Sequence, residues 1–396
     1  MARILWHGIG PWHKTGYGKM TALFAPRIRD LGHEVVLGIM GQRGDKHPLK
    51  HPDARRVALT GKWEGMRVVG PGLTEFGLPP PAAILDAFGG HMPDLCIILK
   101  DCWVLEPDAY KRFPAVINWL AFDTDPMGIP DRIYFENVPH AVPAALSRWG
   151  ARAARDAGLD AVYVPHGIDT SLWTTGSKED ARALLGLPQG VFIAGIDAQN
   201  AGPRKGWGEQ FEAFAMHPDP GALLLVHAAP DNEEGMNLRH LAQRLGLNQS
   251  GSEPLPGDRV KFGSQFNMTE LQMVNWYRSL DVLLACSYGE GFGVPIVQAL
   301  ACGKPVIGTR CTAITEKIPA GMGWTVPGHR WWHPHHQSWW CIPQTREIAK
   351  ALGKAANGRH NPPEVIRQWA VAEYDADDVT ARYWKPLIEE VLHAGP

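Results

Sequence analysis

The sequence predicts an α/β protein of two Rossmann-like domains, and three observations carry that expectation. Short apolar runs recur that are too short for helices, lack polar alternation and end in glycine-rich loops, as Asp281-Val-Leu-Leu-Ala-Cys286 does before Ser287. The order strand, loop, helix, strand begins at Arg3 and begins afresh near Val191. A length of 396 residues with 45% hydrophobic content suffices for two packed cores. The formal charge of −2 provides no general field for nucleic acid, though it leaves room for a local basic groove. The six cysteines (Cys96, Cys102, Cys286, Cys302, Cys311 and Cys341) lie mostly in apolar contexts without a Cys-x-x-Cys pair, and read as reduced core residues of a cytoplasmic protein. No signal peptide precedes the first strand and no apolar run approaches the ~20 residues of a membrane span, so no membrane span is expected.

The first half opens with the strand Arg3–His7, the loop Gly8-Ile-Gly10-Pro-Trp12-His-Lys-Thr15-Gly16-Tyr17-Gly18-Lys19, a helix ending at Leu31-Gly32, and the strand Val35–Leu37. Pro26 predicts a kink or a second segment in that helix. The loop is neither a dinucleotide fingerprint, which needs glycine where His13 stands, nor a P-loop, which needs an upstream glycine and a Ser/Thr after Lys19. Gly16 and Gly18 instead let backbone amides approach a diphosphate or an acceptor, or simply make a tight turn. Trp12 and Tyr17 are acceptor-side candidates able to stack on a base or sugar. The polar stretch from Gly41 to Arg56 carries Arg43, Lys46, Lys50, Arg55 and Arg56 and reads as a solvated loop. Further strands are expected at Met66–Val69, Leu95–Leu99, Ala115–Leu120 and Ala161–Val164. Asp123 and Asp125 lie just past the third of these, where open α/β sheets place ligands. A carboxylate there is suited to orient or deprotonate an acceptor hydroxyl, Asp123 foremost. Acids before a proline are also turn formers, and no metal is expected.

Pro165-His-Gly167-Ile-Asp169 stops a strand and releases the backbone, which puts a domain boundary near residue 170. The second half restarts with Val191–Gly195, and its loop sets Arg204 and Lys205 just ahead of the helix Trp207–Met216. Two fixed cations there suit a diphosphate. A strand at Leu223–Ala228 follows, Val260–Phe266 ends a further strand in a loop, and then comes a capped helix Thr269–Leu280 whose Trp276 and Tyr277 read as core. After Asp281–Cys286 the loop holds Glu290. Gly291, Phe292, Gly293 and Val294 then form a junction into a helix whose N-terminal amides suit phosphate, with Pro295 in its first turn. Gln298 lies one turn in. The stretch Arg330–Trp340, rich in tryptophan and histidine, reads as a packed surface insertion, because His333, His335 and His336 lack the i, i+4 spacing of a metal pair.

Glu290-Gly-Phe-Gly-Val-Pro295, followed by Ala-Leu-Ala-Cys-Gly-Lys-Pro305-Val-Ile, resembles the sugar-nucleotide signature of family-4 retaining glycosyltransferases of the GT-B fold. The resemblance implies two Rossmann-like domains facing across a cleft: 1–170 on the acceptor side, 171–373 binding the nucleotide sugar, and 374–396 as a C-terminal helix returning to the first. It implies that Glu290 lies by the transferred sugar and that Gln298, where the family usually has a second glutamate, meets the ribose hydroxyls. Gly263, Ser264, Gln265 and Phe266 would hold the nucleobase edge, Arg204 and Lys205 the diphosphate, and no metal or other cofactor would be needed beyond the nucleotide-sugar donor. Pro11-Trp-His-Lys-Thr-Gly-Tyr-Gly is similar to the amino-terminal signature of bacteriophage glycosyltransferases, which makes a hydroxymethylated pyrimidine in DNA one candidate acceptor beside a glycan or small molecule. Alternatives left open are a sugar-nucleotide epimerase of the same fold and a non-catalytic nucleotide-sugar-binding protein.

Overall fold

A computed structural model describes residues 1–41, 54, 56–57, 60–70, 74–250, 255–263, 268–334 and 337–394. The chain divides into two compact units, Met1–Gly167 with Tyr374–Pro396, and Ile168–Glu373.

The first unit is built on β1 (Arg3–Ile9), β2 (Glu34–Met40), β3 (Lys62–Trp63), β4 (Met66–Val69), β5 (Leu95–Leu99), β6 (Val116–Leu120), β7 (Ala141–Ala145) and β8 (Val162–Tyr163). Their order across the sheet is β3-β4-β2-β1-β5-β6-β7-β8, parallel except for β3 against β4. Strands β5 and β6 are buried along their whole length, as continuous apolar runs in a doubly covered sheet must be. The sequence did not disclose β7, because Ala-Val-Pro-Ala-Ala carries a proline that normally demotes a strand. Here Pro143 pairs with Asn118 inside the sheet, and burial overrides the local preference. No second segment forms at Pro26, since one helix, Gly16–Asp30, runs through it with Phe24, Ala25 and Ile28 packed into the core.

Residues 374–396 complete this unit's core. A π-helical turn, Thr380–Trp384, delivers Trp384 into a fully buried cluster, 4.9 Å from Trp119, 6.0 Å from Trp6 and 6.3 Å from Phe24 between ring centroids. Gly167 lies where this segment packs, so close that a Cβ there would stand 3.1 Å from the Ala376 backbone.

The second unit holds β9 (Ile193–Asp197), β10 (Leu223–His227), β11 (Val260–Gly263), β12 (Val282–Ala285), β13 (Val306–Thr309) and β14 (Gly323–Val326), all parallel in the order β11-β10-β9-β12-β13-β14. Asp281, just before β12, accepts from Lys178 and Arg182 at 2.8 Å each and from the Ile193 amide at 2.7 Å, tying the strands' amino ends. The segment read as a surface insertion is an antiparallel hairpin of β15 (Gly328–His333) and β16 (Ser338–Pro343). A lone hairpin is marginal in water. This one sets Trp331 opposite Trp340 and Trp332 opposite Trp339, and it buries Trp340 against Tyr288. His335 and His336 lie outside the described residues.

Trp384→Ala is expected to cost the first unit ~3–5 kcal/mol, the range for emptying an aromatic core site. Urea unfolding followed by tryptophan fluorescence checks it, and a loss below ~1 kcal/mol would contradict the cluster's role.

Candidate functional site

In an open parallel sheet, ligands bind beyond the strands' carboxyl ends, where the strand order reverses. The reversal lies between β9 and β12 in the second unit and between β1 and β5 in the first. In both units the loops leaving these strands are bridged by side chains.

In the second unit the loop after β9 turns through Gly202 (φ +65°), a short 3-10 turn Pro203–Lys205 and Gly206 (φ +62°). A Cβ on Gly206 would sit 2.3 Å from the Cys286 carbonyl oxygen, so glycine lets this loop press on the end of β12. Gln210 fastens the contact, donating to the Lys205 carbonyl at 2.7 Å and accepting from the Cys286 amide at 3.2 Å. Thus held, Lys205 Nζ meets Glu290 Oε1 at 2.5 Å and Arg204 Nη1 meets Glu290 Oε2 at 3.4 Å and the Gly289 carbonyl at 2.6 Å. The Ser287 hydroxyl donates to Glu290 Oε1 at 2.7 Å, and the Glu290 amide donates to Thr312 Oγ1 at 2.9 Å. Burial alone would raise the Glu290 carboxyl, but the Lys205 and Arg204 charges and the hydrogen bonds outweigh it and lower it to about 2. Glu290 is therefore an ionised carboxylate gripped by two cations.

Gly293 (φ +88°) precedes the helix Val294–Ala301, whose first amides have no side-chain cap. The Phe292 side chain is buried under Lys317, whose Nζ lies 4.4 Å from the ring centroid. Gln298 is buried; its Oε1 lies 3.3 Å from the Tyr277 hydroxyl, which donates to Asp197 Oδ2 at 2.5 Å. Asp197 Oδ1 lies 2.8 Å from His227 Nδ1, and the buried His227 Nε2 has no hydrogen-bond partner among the described residues. Tyr277 is therefore more than the core residue expected from sequence. Gly263 ends β11 beside His227, while Ser264, Gln265 and Phe266 lie outside the described residues.

In the first unit the Tyr17 hydroxyl donates to Asp101 Oδ1 at 2.7 Å, joining the start of the helix after β1 to the loop after β5, and Lys100 Nζ lies 3.1 Å from Asp101 Oδ2. Trp12 is turned onto its own loop: a Cβ on Gly10 would lie 2.7 Å from its ring. Gly16 is the exposed first residue of its helix, and a Cβ there would meet no atom within 4 Å. Its glycine is not required by close packing, unlike Gly18, where a Cβ would stand 2.3 Å from the His13 carbonyl oxygen. Asp123 is half-buried and Asp125 exposed, just before the cis bond to Pro126. Asp131, on the helix Ile129–Asn137, is raised to about 7 by burial and then by the Asp101 and Asp123 charges, which gathers three carboxylates at this end of the sheet. Among the described residues no group of three or more His, Cys, Asp or Glu side chains is arranged to hold a metal ion, and no helix is long and apolar enough to cross a membrane.

Sequence reasoning missed Asp101, Asp131, Asp197, His227, Ser287 and Thr312 as site neighbours. Asp101 stands two residues past a strand that the sequence discloses, so the rule that selects Asp123 could have found it. Asp131 and Asp197 converge with their partners only through the fold.

Solved structures place this architecture in a class. The chain resembles HepE from Anabaena in complex with UDP and glucose, with TM-score 0.71 and 17% identity over 98% of this chain and 100% of that one. It also resembles sucrose-phosphate synthase from Thermosynechococcus elongatus, with TM-score 0.73 and 17% identity over 100% of both. The two parallel α/β sheets are those of GT-B glycosyltransferase structures. In sequence, residues 232–332 match the family described as "Glycosyl transferases group 1". Relatives include the D-inositol 3-phosphate glycosyltransferases of Arthrobacter sp. (strain FB24), 28% identical over 49% of this chain and 45% of that protein, and of Mycolicibacterium smegmatis, 31% identical over 41% and 35%. The matched region spans less than half the length of these relatives.

A carboxyl raised on folding binds more protons folded than unfolded, so Asp131 makes stability fall as pH climbs from its ordinary 3.8 through about 7. Asp131→Asn is expected to flatten that decline. Urea midpoints measured at several pH values check it, and a slope equal to wild type would remove Asp131 as its source.

Proposed function

We propose that this chain is a glycosyltransferase that moves a sugar from a nucleotide-sugar donor to a hydroxyl acceptor, with the donor bound in the second unit and the acceptor in the first. The observation that carries the proposal is the meeting of Arg204 and Lys205 with Glu290 at the β9/β12 reversal, beside the uncapped helix start at Gly293. A diphosphate leaving group gains charge as the glycosidic bond breaks, and fixed cations with helix amides stabilise that charge without a metal. In this reading Arg204, Lys205 and the amides of Gly291–Val294 hold the diphosphate, and Glu290, ionised, faces the transferred sugar. Gln298 takes the ribose hydroxyls, and Gly263 with Ser264, Gln265 and Phe266 takes the base. Retention of anomeric configuration follows from the resemblance of the Glu290 segment to the family-4 signature.

On the acceptor side, Asp123 is proposed to orient the attacking hydroxyl, with Asp101 and Tyr17 beside it. Carboxylates accept hydrogen bonds from hydroxyls and repel a phosphate backbone, which favours a sugar or polyol over DNA. The basic segment that suggested a modified DNA base contributes only Arg56 to the described residues, with Arg43, Lys46, Lys50 and Arg55 outside them.

The test begins with a thermal-shift screen of nucleotide sugars that includes UDP-glucose, followed by product analysis with and without acceptors: sugars, inositol, inositol 3-phosphate, and duplex DNA carrying hydroxymethylcytosine. Conversion without acceptor would favour an epimerase, and binding without turnover a non-catalytic protein. Glu290→Gln is expected to retain fold and nucleotide binding while losing ~100-fold in turnover, the scale of one removed electrostatic contact. Near-normal turnover would take Glu290 out of the site. Arg204→Ala and Lys205→Ala are each expected to weaken UDP binding by ~1.5–3 kcal/mol, the scale of a lost charged hydrogen bond. Calorimetry with unchanged affinity in both would return them to a solvated loop.

A further inference from the structure

Four elements meet around Gln298. Asp197 ends β9, His227 ends β10, Tyr277 comes from the helix Glu270–Ser279, and Gln298 sits in the helix Val294–Ala301. The contacts form a chain: His227 Nδ1 to Asp197 Oδ1 at 2.8 Å, Asp197 Oδ2 to the Tyr277 hydroxyl at 2.5 Å, and that hydroxyl to Gln298 Oε1 at 3.3 Å. The hydroxyl offers one hydrogen, and a carboxylate can only accept. Burial and then the Asp197 charge hold the Tyr277 phenol well above its ordinary range, so the hydrogen stays on the oxygen. Residue 298 and Asp197 Oδ2 therefore share that one hydrogen, while Asp197 Oδ1 faces His227 Nδ1. A glutamate at 298 would set two carboxylates about one hydroxyl hydrogen, and carboxylates so placed do not both ionise readily. An amide there removes the conflict and leaves its N–H donors for a ligand.

We propose that Asp197 is the positioning and specificity-determining residue of the nucleoside end of this site: it carries the negative charge there and, through Tyr277, favours a neutral amide over a second carboxylate at residue 298. The nucleoside hydroxyls then meet the amide donors of Gln298 rather than a carboxylate. Asp197 Oδ1 also faces His227 Nδ1, and the buried His227 Nε2, without a partner among the described residues, lies at the same end of the sheet. This inference rests on the second unit being the nucleotide-sugar site.

Among the described residues the titratable and charged groups near residue 298 include Asp197 from β9, His227 from β10, Tyr277 and Arg278 from the helix Glu270–Ser279, Arg367, which donates to the Ala301 carbonyl, and Lys304 and Cys302 just past its own helix, the last a thiol that burial pushes up to about 12. Arg204, Lys205 and Glu290 stand on the two neighbouring loops.

The test titrates the full chain with UDP by calorimetry from about pH 6 to about pH 8.5, and reads each variant as a ratio to wild type at the same pH so that titration of the nucleotide cancels. Gln298→Glu is expected to bind close to wild type at the acid end and to weaken by about tenfold or more toward the alkaline end, as the proton shared by the two carboxylates is lost. The double variant Asp197→Asn with Gln298→Glu restores one charge and one amide. The amide introduced on β9 then donates to the Tyr277 oxygen, and Tyr277 donates to the carboxylate introduced on the helix. This variant is expected to return to within about threefold of wild type with a flat ratio. A Gln298→Glu ratio that is flat across the range, or a double variant no better than Gln298→Glu alone, overturns the inference while leaving the donor reading intact. Failure of wild type to bind UDP, GDP or ADP overturns the donor reading itself, and this inference with it.

Discussion

The grip of Lys205 and Arg204 on Glu290 is the interaction on which the second unit's candidate site depends. Three charged side chains from two loops cannot be drawn together, partly out of water, unless their charges compensate, because desolvation would otherwise neutralise them. The compensation requires the loops to touch, and the loops touch only because Gly206 has no Cβ to strike the Cys286 carbonyl. Backbone shape, ion pairing and the depressed carboxyl of Glu290 are thus successive consequences of one close approach. The same arrangement fixes both cations beside one carboxylate at the carboxyl end of the sheet.

Both units place their bridged loops by the same topological rule but give them opposite electrical character. At the β9/β12 reversal, fixed cations surround one carboxylate. Beyond the β1, β5 and β6 ends, carboxylates predominate, and their mutual repulsion with burial keeps Asp131 protonated up to about 7. A cationic cradle suits a phosphate-bearing ligand, and a carboxylate group suits a ligand offering hydroxyls. This division of labour supports a reaction that joins a phosphate-bound sugar to an alcohol.

The polar chain from His227 through Asp197 and Tyr277 to Gln298 shows why a substitution inside a motif cannot be weighed alone. Read in sequence, Gln298 looks like a lost charge. In the fold a carboxylate stands one hydroxyl away, so the charge is present at that end of the sheet but on a strand end instead of a helix.

By itself the sequence determined the alternation of strand and helix, the two starts of the pattern, the glycine-marked loops, and the residue types able to handle a diphosphate. These are local properties, written in apolar runs, in helix-start residues such as Thr269 and Pro295, and in the glycines between them. It also led to Glu290, Arg204 and Lys205 separately, but not to their contact, because residues some 85 positions apart meet only when β9 and β12 lie side by side. Only the tertiary structure decided that the proline-bearing β7 is an interior strand, that Trp12 folds onto Gly10, and that Trp384 fills the first unit's core. It alone placed Asp101, Asp131 and Asp197 beside their partners. Local propensity acts within a few residues, whereas sharing a proton, compensating a charge and filling a cavity depend on distances in space that the order of the chain does not contain.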